Sequence, residues 1–173
     1  GEHAEALALL DAVLAEHPDN LGALYFRGKA LLDLGRAAEA EAVLRRALSL
    51  KPTAPNILFA LYRSLQPQRG RESETAECYA RYRAAKGDLD KLYRLLGGEI
   101  ERAPRDPGPP AEAGALLLRM GEDDAALFWL SAALRRDPRH RASHEALARY
   151  YDGAGRPDKA AEHRRLAGAA AAP

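Results

Sequence analysis

The chain has 173 residues, 47% of them hydrophobic, enough to bury a substantial core. Twenty-six Lys and Arg stand against twenty-five Asp and Glu, and the charges are evenly spread: 6 basic against 8 acidic over 1–52, 9 against 7 over 53–104, 11 against 10 over 105–173. No segment therefore carries the one-signed excess of a nucleic-acid or acidic-membrane surface. Cys78 is the single cysteine, which excludes an internal disulfide and argues against a thiolate metal site. No apolar run is long enough to span a membrane, and no positively charged start followed by an apolar core marks a signal peptide, which leaves a targeting segment upstream open. A soluble protein is expected. Its compartment stays open, with the cytoplasm favoured.

The chain opens on "GEHAEALALLDAVLAEHP", a Gly, a helical stretch and a Pro. The same form returns at 35–52, 87–104 and 121–138. Gly1, Gly35, Gly87, Gly121 and Gly155 are 34, 52, 34 and 34 residues apart, so a 34-residue period is interrupted once by an extra half period. Residues 1–18 then form half a unit, a single helix with Ala6, Leu10 and Pro18.

Residues 21–52 form a complete unit of two helices. Gly35 ends the first, Ala40, Leu44 and Ala47 make one stripe on the second, and Pro52 closes the unit. Gly28 and Ala40 are placed where two antiparallel helices cross, and close approach there would offset the roughly 1 kcal/mol that a helical glycine costs.

Residues 53–104 are irregular. "APNILFALYRSL" is a first helix, followed by the breaker cluster "QPQRGR". A helical stretch then covers 71–102. Thr75, Tyr79, Tyr82, Lys86, Leu89, Tyr93, Leu96 and Ile100 keep one 4,3 phase across Gly87, which predicts a single helix roughly 48 Å long. "KGD" with Asp88 as N-cap is the competing reading, in which Gly87 breaks the helix in two. Residues 107–138 and 141–168 return to the regular form, with Gly114 and Ala126, then Ala148 and Ala160, at the crossing positions. The stretch 169–173 reads as a flexible tail.

This pattern resembles the tetratricopeptide repeat: a small residue in the middle of helix A, Ala early in helix B, and a closing Pro. Residues 21–52 carry it through Gly28, Leu31, Ala40, Leu44, Ala47 and Pro52. Residues 107–138 carry it through Gly114, Leu117, Ala126, Leu130, Ala133 and Pro138, and 141–167 through Leu147, Ala148, Tyr151, Ala160 and Ala167. The family's aromatic near the start of helix A is replaced by Leu24, Leu58, Pro110 and His144. The resemblance implies an all-α fold, a right-handed superhelical solenoid of antiparallel helix pairs, to which the phase of 71–102 adds one long helix near the middle. It also implies a non-catalytic scaffold whose A helices hold an extended peptide or a partner helix in a concave groove.

The family's groove-facing spacing selects Tyr25, Lys29 and Leu32 from the first A helix, and Asn56, Phe59, Arg63 and Gln66 from the second. Aromatics beside cations suit a segment with one apolar anchor and one or two carboxylates. The alternative is that Tyr25 and Phe59 only pack between helices. The later half offers Ala111, Ala115, Leu118, Glu145 and Arg149. The Asn-and-Lys clamp of some family members is not matched, since Ala60 stands where its second Asn is needed.

Catalytic motifs are absent from the sequence, and no enzyme activity or cofactor is expected. Cys78 reads as a small packing residue. His140, His144 and His163 have metal-compatible spacing, but His144 stands at a packing position and no metal is expected. Arg135, Arg136, Arg139 and Arg141 bracket a helix end, where cations favour the dipole. Trp129 and Phe128 read as core between repeats.

The expected partner is a protein or peptide, with no nucleic acid and no membrane insertion. The alternative is self-assembly: the first helix, "EALALLDAVLA", is not a polar cap, so further repeats or another copy are expected before residue 1, as in a piece of a longer polypeptide. The Ala- and Arg-rich composition suggests GC-rich bacterial coding.

Overall fold

The computed structural model describes residues 2–169, which form helices and turns with no strand among them. The expected tail falls at its edge: Ala169 ends the last helix, and 170–173 lie outside the described residues. The chain divides into two compact units, one up to Gly87 and one from Asp88 onward.

The first unit contains α1 (Glu2–Glu16), α2 (Leu21–Asp33), α3 (Ala37–Leu50), α4 (Pro55–Leu65) and the beginning of α5 (Glu72–Arg94). Successive helices pack as neighbours from α1 to α4, and the two A helices α2 and α4 also touch. The second unit contains the end of α5, a π-helical turn at Leu95–Glu99, α6 (Ile100–Arg102), α7 (Gly108–Met120), α8 (Asp123–Arg136), α9 (Arg141–Gly153) and α10 (Pro157–Ala169). Here α7 pairs with α8 and α9 with α10, with α8 and α7 both against α9.

Each recurrent residue of the period has a job. Gly35, Gly121 and Gly155 all have positive φ, near 70°. They let the next amide reach back to the last helical turn, Arg36 to Leu31 at 2.9 Å, Glu122 to Leu117 at 3.0 Å and Arg156 to Tyr151 at 2.8 Å. The prolines do the complementary work. Pro18, Pro52, Pro104 and Pro138 are each second in a four-residue turn, whose first carbonyl accepts from the fourth amide at 3.0–3.3 Å. Proline presets φ for that place, so these four turns lead into the following helix in the same way. Asn20 adds a cap, its side chain accepting from Ala23 N at 2.9 Å.

The crossing positions are tight. A Cβ on Gly28 would come within 2.6 Å of Leu44, and one on Gly114 within 2.6 Å of Leu130. Leu44 and Leu130 are fully buried, each seated over the bare backbone of its partner helix. Ala40, Ala47, Ala126, Ala133 and Ala160 are also fully buried, so interhelical closeness supplies much of the packing in both units. The four substitutes for the family aromatic, Leu24, Leu58, Pro110 and His144, are all buried.

The long helix departs from the expected span. Helix α5 passes Gly87 unbroken but ends at Arg94, eight residues before 102. The break falls at Gly97 and Gly98, where Gly98 has φ of 133°, open only to glycine. The 4,3 row that predicted one helix keeps its phase but flanks the core: Tyr93 and Leu96 are exposed. The buried residues of this stretch are Cys78, with Tyr82 and Ala85 against the first unit's core, and Leu92, Leu95 and Ile100 in the second unit's core.

A Cβ on Gly87 would meet nothing within 4 Å. Gly87→Ala is therefore expected to stabilise α5 by about 1 kcal/mol, through helix propensity alone. Slower amide hydrogen exchange across α5 would show it; unchanged or faster exchange would mean that the glycine serves the fold.

Candidate protein-interaction face

The seven expected groove residues lie on two neighbouring helices, α2 and α4. Tyr25 and Leu32 are half-buried against the first unit's core, while Lys29, Asn56, Phe59, Arg63 and Gln66 are exposed. No ring contact joins Tyr25 to Phe59 among the described residues: Tyr25 meets Phe26 at 5.2 Å. Phe59 turns the other way.

Its neighbours come from α5. Ring centroids of Phe59 and Tyr82 are 5.0 Å apart, those of Tyr62 and Tyr79 4.8 Å, those of Phe59 and Tyr62 6.0 Å, and those of Tyr79 and Tyr82 5.8 Å. Four aromatics thus form a compact platform bridging α4 and α5. Phe59 is 41% exposed and Tyr79 39%, while Tyr62 and Tyr82 are half-buried. Gln66 donates to the Tyr62 hydroxyl at 2.8 Å, fixing that ring at the edge of a cleft of about 400 Å³. Gln68, Thr75 and Ala76 complete its lining with Glu72. Arg63 lies one helical turn beyond Phe59 and makes no ion pair among the described residues.

Tyr62, Tyr79 and Tyr82 are missing from the sequence-based selection, yet the period points to the first. Adding 34 to Gly28 gives 62, so the small crossing residue of the other units is here a tyrosine. Helices α4 and α5 do not approach closely as α3 and α2 do, and their aromatic rings meet instead. Likewise Leu44 becomes Cys78 one period later, and Ala40 becomes Glu74. The Cys78 thiol is buried, donates weakly to the Leu58 carbonyl at 3.4 Å, and is pushed up in pKa by that burial.

What α5 lacks in close packing is replaced by charge. Arg71, just before α5, places both terminal nitrogens on the Glu41 carboxylate of α3, at 2.6 and 2.9 Å. Arg45 and Gln68 each donate to the same carboxylate at 2.8 Å. Glu74 accepts from both Arg45 and Arg71. These bonds, led by those from Arg71, hold the Glu41 carboxyl at about 2 despite the opposing cost of burial.

The tetratricopeptide repeat family model matches residues 1–65, the part of the chain that contains α1 to α4. Residues 1–65 match the tetratricopeptide repeat. Among solved structures, that of MamA shares 19% identity, covers 98% of this chain and 89% of its own, and superposes with a TM-score of 0.47. MamA 41-end from Desulfovibrio magneticus RS-1 shares 18% over 96% and 84%, at a TM-score of 0.45. YrrB, described as a TPR protein with an unusual peptide-binding site, shares 16% over 94% and 92%, at 0.44.

Beyond the matched repeats, the second unit has its own cleft of about 500 Å³ between the A helices α7 and α9. Of the residues expected on that side, Ala115, Leu118 and Arg149 line it, while Ala111 is buried and Glu145 pairs with Arg141 at 2.7 Å. Arg136 is structural, donating to the Ala103 and Asp106 carbonyls at 3.1 and 2.7 Å. Trp129 packs on the second unit's core, but Phe128 beside it is 58% exposed. His144 and His163 meet edge to edge, and no cluster of three or more metal-ligating side chains occurs among the described residues. No described helix is long and apolar enough to cross a membrane.

Proposed function

We propose that this chain is a non-catalytic protein-interaction scaffold that binds a peptide segment or a partner helix in its first unit. The candidate contacts are Tyr25, Lys29 and Leu32 on α2, and Asn56, Phe59, Arg63 and Gln66 on α4. Tyr79 of α5 joins them. The observation that carries the reading is the half-open aromatic platform, with Arg63 one turn along α4 making no ion pair among the described residues. Exposed rings with a cation next to them favour an apolar anchor flanked by carboxylates, because aromatic and Arg side chains supply most of the energy at such contacts. The family match over 1–65 agrees with it.

The test is a displayed random-peptide library panned on the whole chain and on a Phe59→Ala, Arg63→Glu double variant. Sequences with an apolar residue beside Asp or Glu should enrich on the wild type and bind the variant at least tenfold more weakly, about 1.4 kcal/mol. Equal enrichment on both proteins would remove the platform as the site.

A second reading, self-association, rests on α1, where Leu9 is 71% exposed and Val13 39%. If that row is a stacking surface, a Leu9→Glu, Val13→Glu variant should sediment as a smaller species than wild type. Equal sedimentation would end that reading.

A further inference from the structure

His144 is buried at a position where the repeat elsewhere keeps Leu24, Leu58 or Pro110. A titratable ring in an apolar slot calls for partners on both nitrogens. The structure supplies them: Nε2 lies 3.0 Å from the Pro138 carbonyl, and Nδ1 lies 2.9 Å from Nδ1 of His163 on α10. The geometry determines the protons. A carbonyl only accepts, so Nε2 of His144 carries a hydrogen. In the neutral pair, Nδ1 of His144 then accepts from Nδ1 of His163. One further proton is accommodated on Nε2 of His163. A second has only the occupied Nδ1–Nδ1 contact left to enter, and would set two N–H groups of two cations nose to nose.

We propose that this pair is a proton-sensitive latch between α9 and α10, closed with no or one extra proton and opened by the second. Its surroundings set the response. Tyr151 of α9 stacks on the His163 ring, with centroids 5.5 Å apart and planes within 6°. Lys159 and Arg156 both lie over the Tyr151 ring, at 5.1 and 5.8 Å from its centroid. Burial first, then His144, disfavours charge on His163; Glu162 favours it and Lys159 opposes it. On α9, His140 bonds Ser143 at 2.8 Å and Arg141 pairs with Glu145. From α8 come leucines, Leu127, Leu130 and Leu134, and in the turn after it Asp137 holds the Arg139 amide. From α7, Leu118 faces this cluster and Arg119 is tied to Asp88. No carboxylate among these described residues hydrogen-bonds either imidazole, and Glu162 acts on His163 only through space. Opening would uncover Ala160 and Ala167 of α10 and Leu147 of α9.

The experiment is imidazole nitrogen NMR with amide hydrogen exchange on the whole chain from pH 8 to pH 5. At pH 8 His144 should be the Nε2–H tautomer and His163 the Nδ1–H tautomer. The two rings should titrate in separate steps, and protection of α10 amides should fall at least tenfold during the second. His163→Gln keeps a donor for Nδ1 of His144 without a titrating ring, and His144→Leu restores the residue found at 24 and 58. In either variant, protection of α10 should no longer fall with pH. An Nδ1–H tautomer on His144 at pH 8, independent titration of both rings with α10 unchanged, or the same loss of protection in a folded variant would each overturn the latch.

Discussion

Leu130→Ala is expected to lower the unfolding free energy of the second unit by about 4 kcal/mol. The leucine is fully buried, over Gly114 on one side and against Ala146 and Leu147 on the other. Two of its neighbours, Gly114 and Ala146, have no rotamers with which to fill the space. The cavity should therefore stay open, placing the cost in the upper part of the range for such truncations. Trp129, the single tryptophan, sits one residue away and reports on this unit in urea titrations. A loss under about 1 kcal/mol would mean that the helices close over the gap.

The same contact can be tested from its other side. Gly114→Ala places a methyl 2.6 Å from Leu130 Cγ and 3.0 Å from the Ala126 carbonyl, so overpacking of about 2 kcal/mol should outweigh the gain in helix propensity. In the Leu130→Ala background the clash with the side chain is gone and the methyl occupies part of the cavity. The double variant should then be more stable than the sum of the two single losses by about 1–3 kcal/mol. Additivity would show that glycine and leucine act independently, and that close helix approach is not what the glycine provides.

That contact shows which parts of the fold were legible in the sequence. A small residue at a helix crossing, a positive-φ glycine and a turn proline each answer a local need that recurs every 34 residues, so arithmetic on the sequence finds them. The candidate face was legible only in part. Phe59, Arg63 and Gln66 follow from groove spacing, but Tyr79 and Tyr82 come from α5 and meet Phe59 and Tyr62 through contacts between helices that spacing does not give. The end of α5 was masked because the 4,3 row continues to Ile100 while the backbone breaks at Gly98. Periodicity also says little about which long side chains will meet. Glu41 and Arg71 lie 30 residues apart, and His144 and His163 19 apart, and in each pair the partner is chosen by packing between helices.

Glu41 carries the other large expected effect. Its side chain is 13% exposed, and Arg71, Arg45 and Gln68 all donate to it, joining α3 to the start of α5 where no close helix crossing does so. Removing the charge leaves two guanidinium groups without their main partner. Glu41→Gln should therefore cost the first unit about 2 kcal/mol at neutral pH, consistent with the loss of hydrogen bonds to a charged group. The pH dependence has a definite sign. A carboxyl held at about 2 in the fold, against an ordinary value near 4.5, stabilises fully above the ordinary value and loses that contribution as pH falls through about 2. Glu74, lowered by the same arginines, shifts in the same direction. Wild type and Glu41→Gln should thus differ most at pH 7 and converge between pH 4.5 and pH 2, as read by urea unfolding and by amide exchange in α3 and early α5. Parallel curves across that range would mean that shape, rather than charge, gives Glu41 its place.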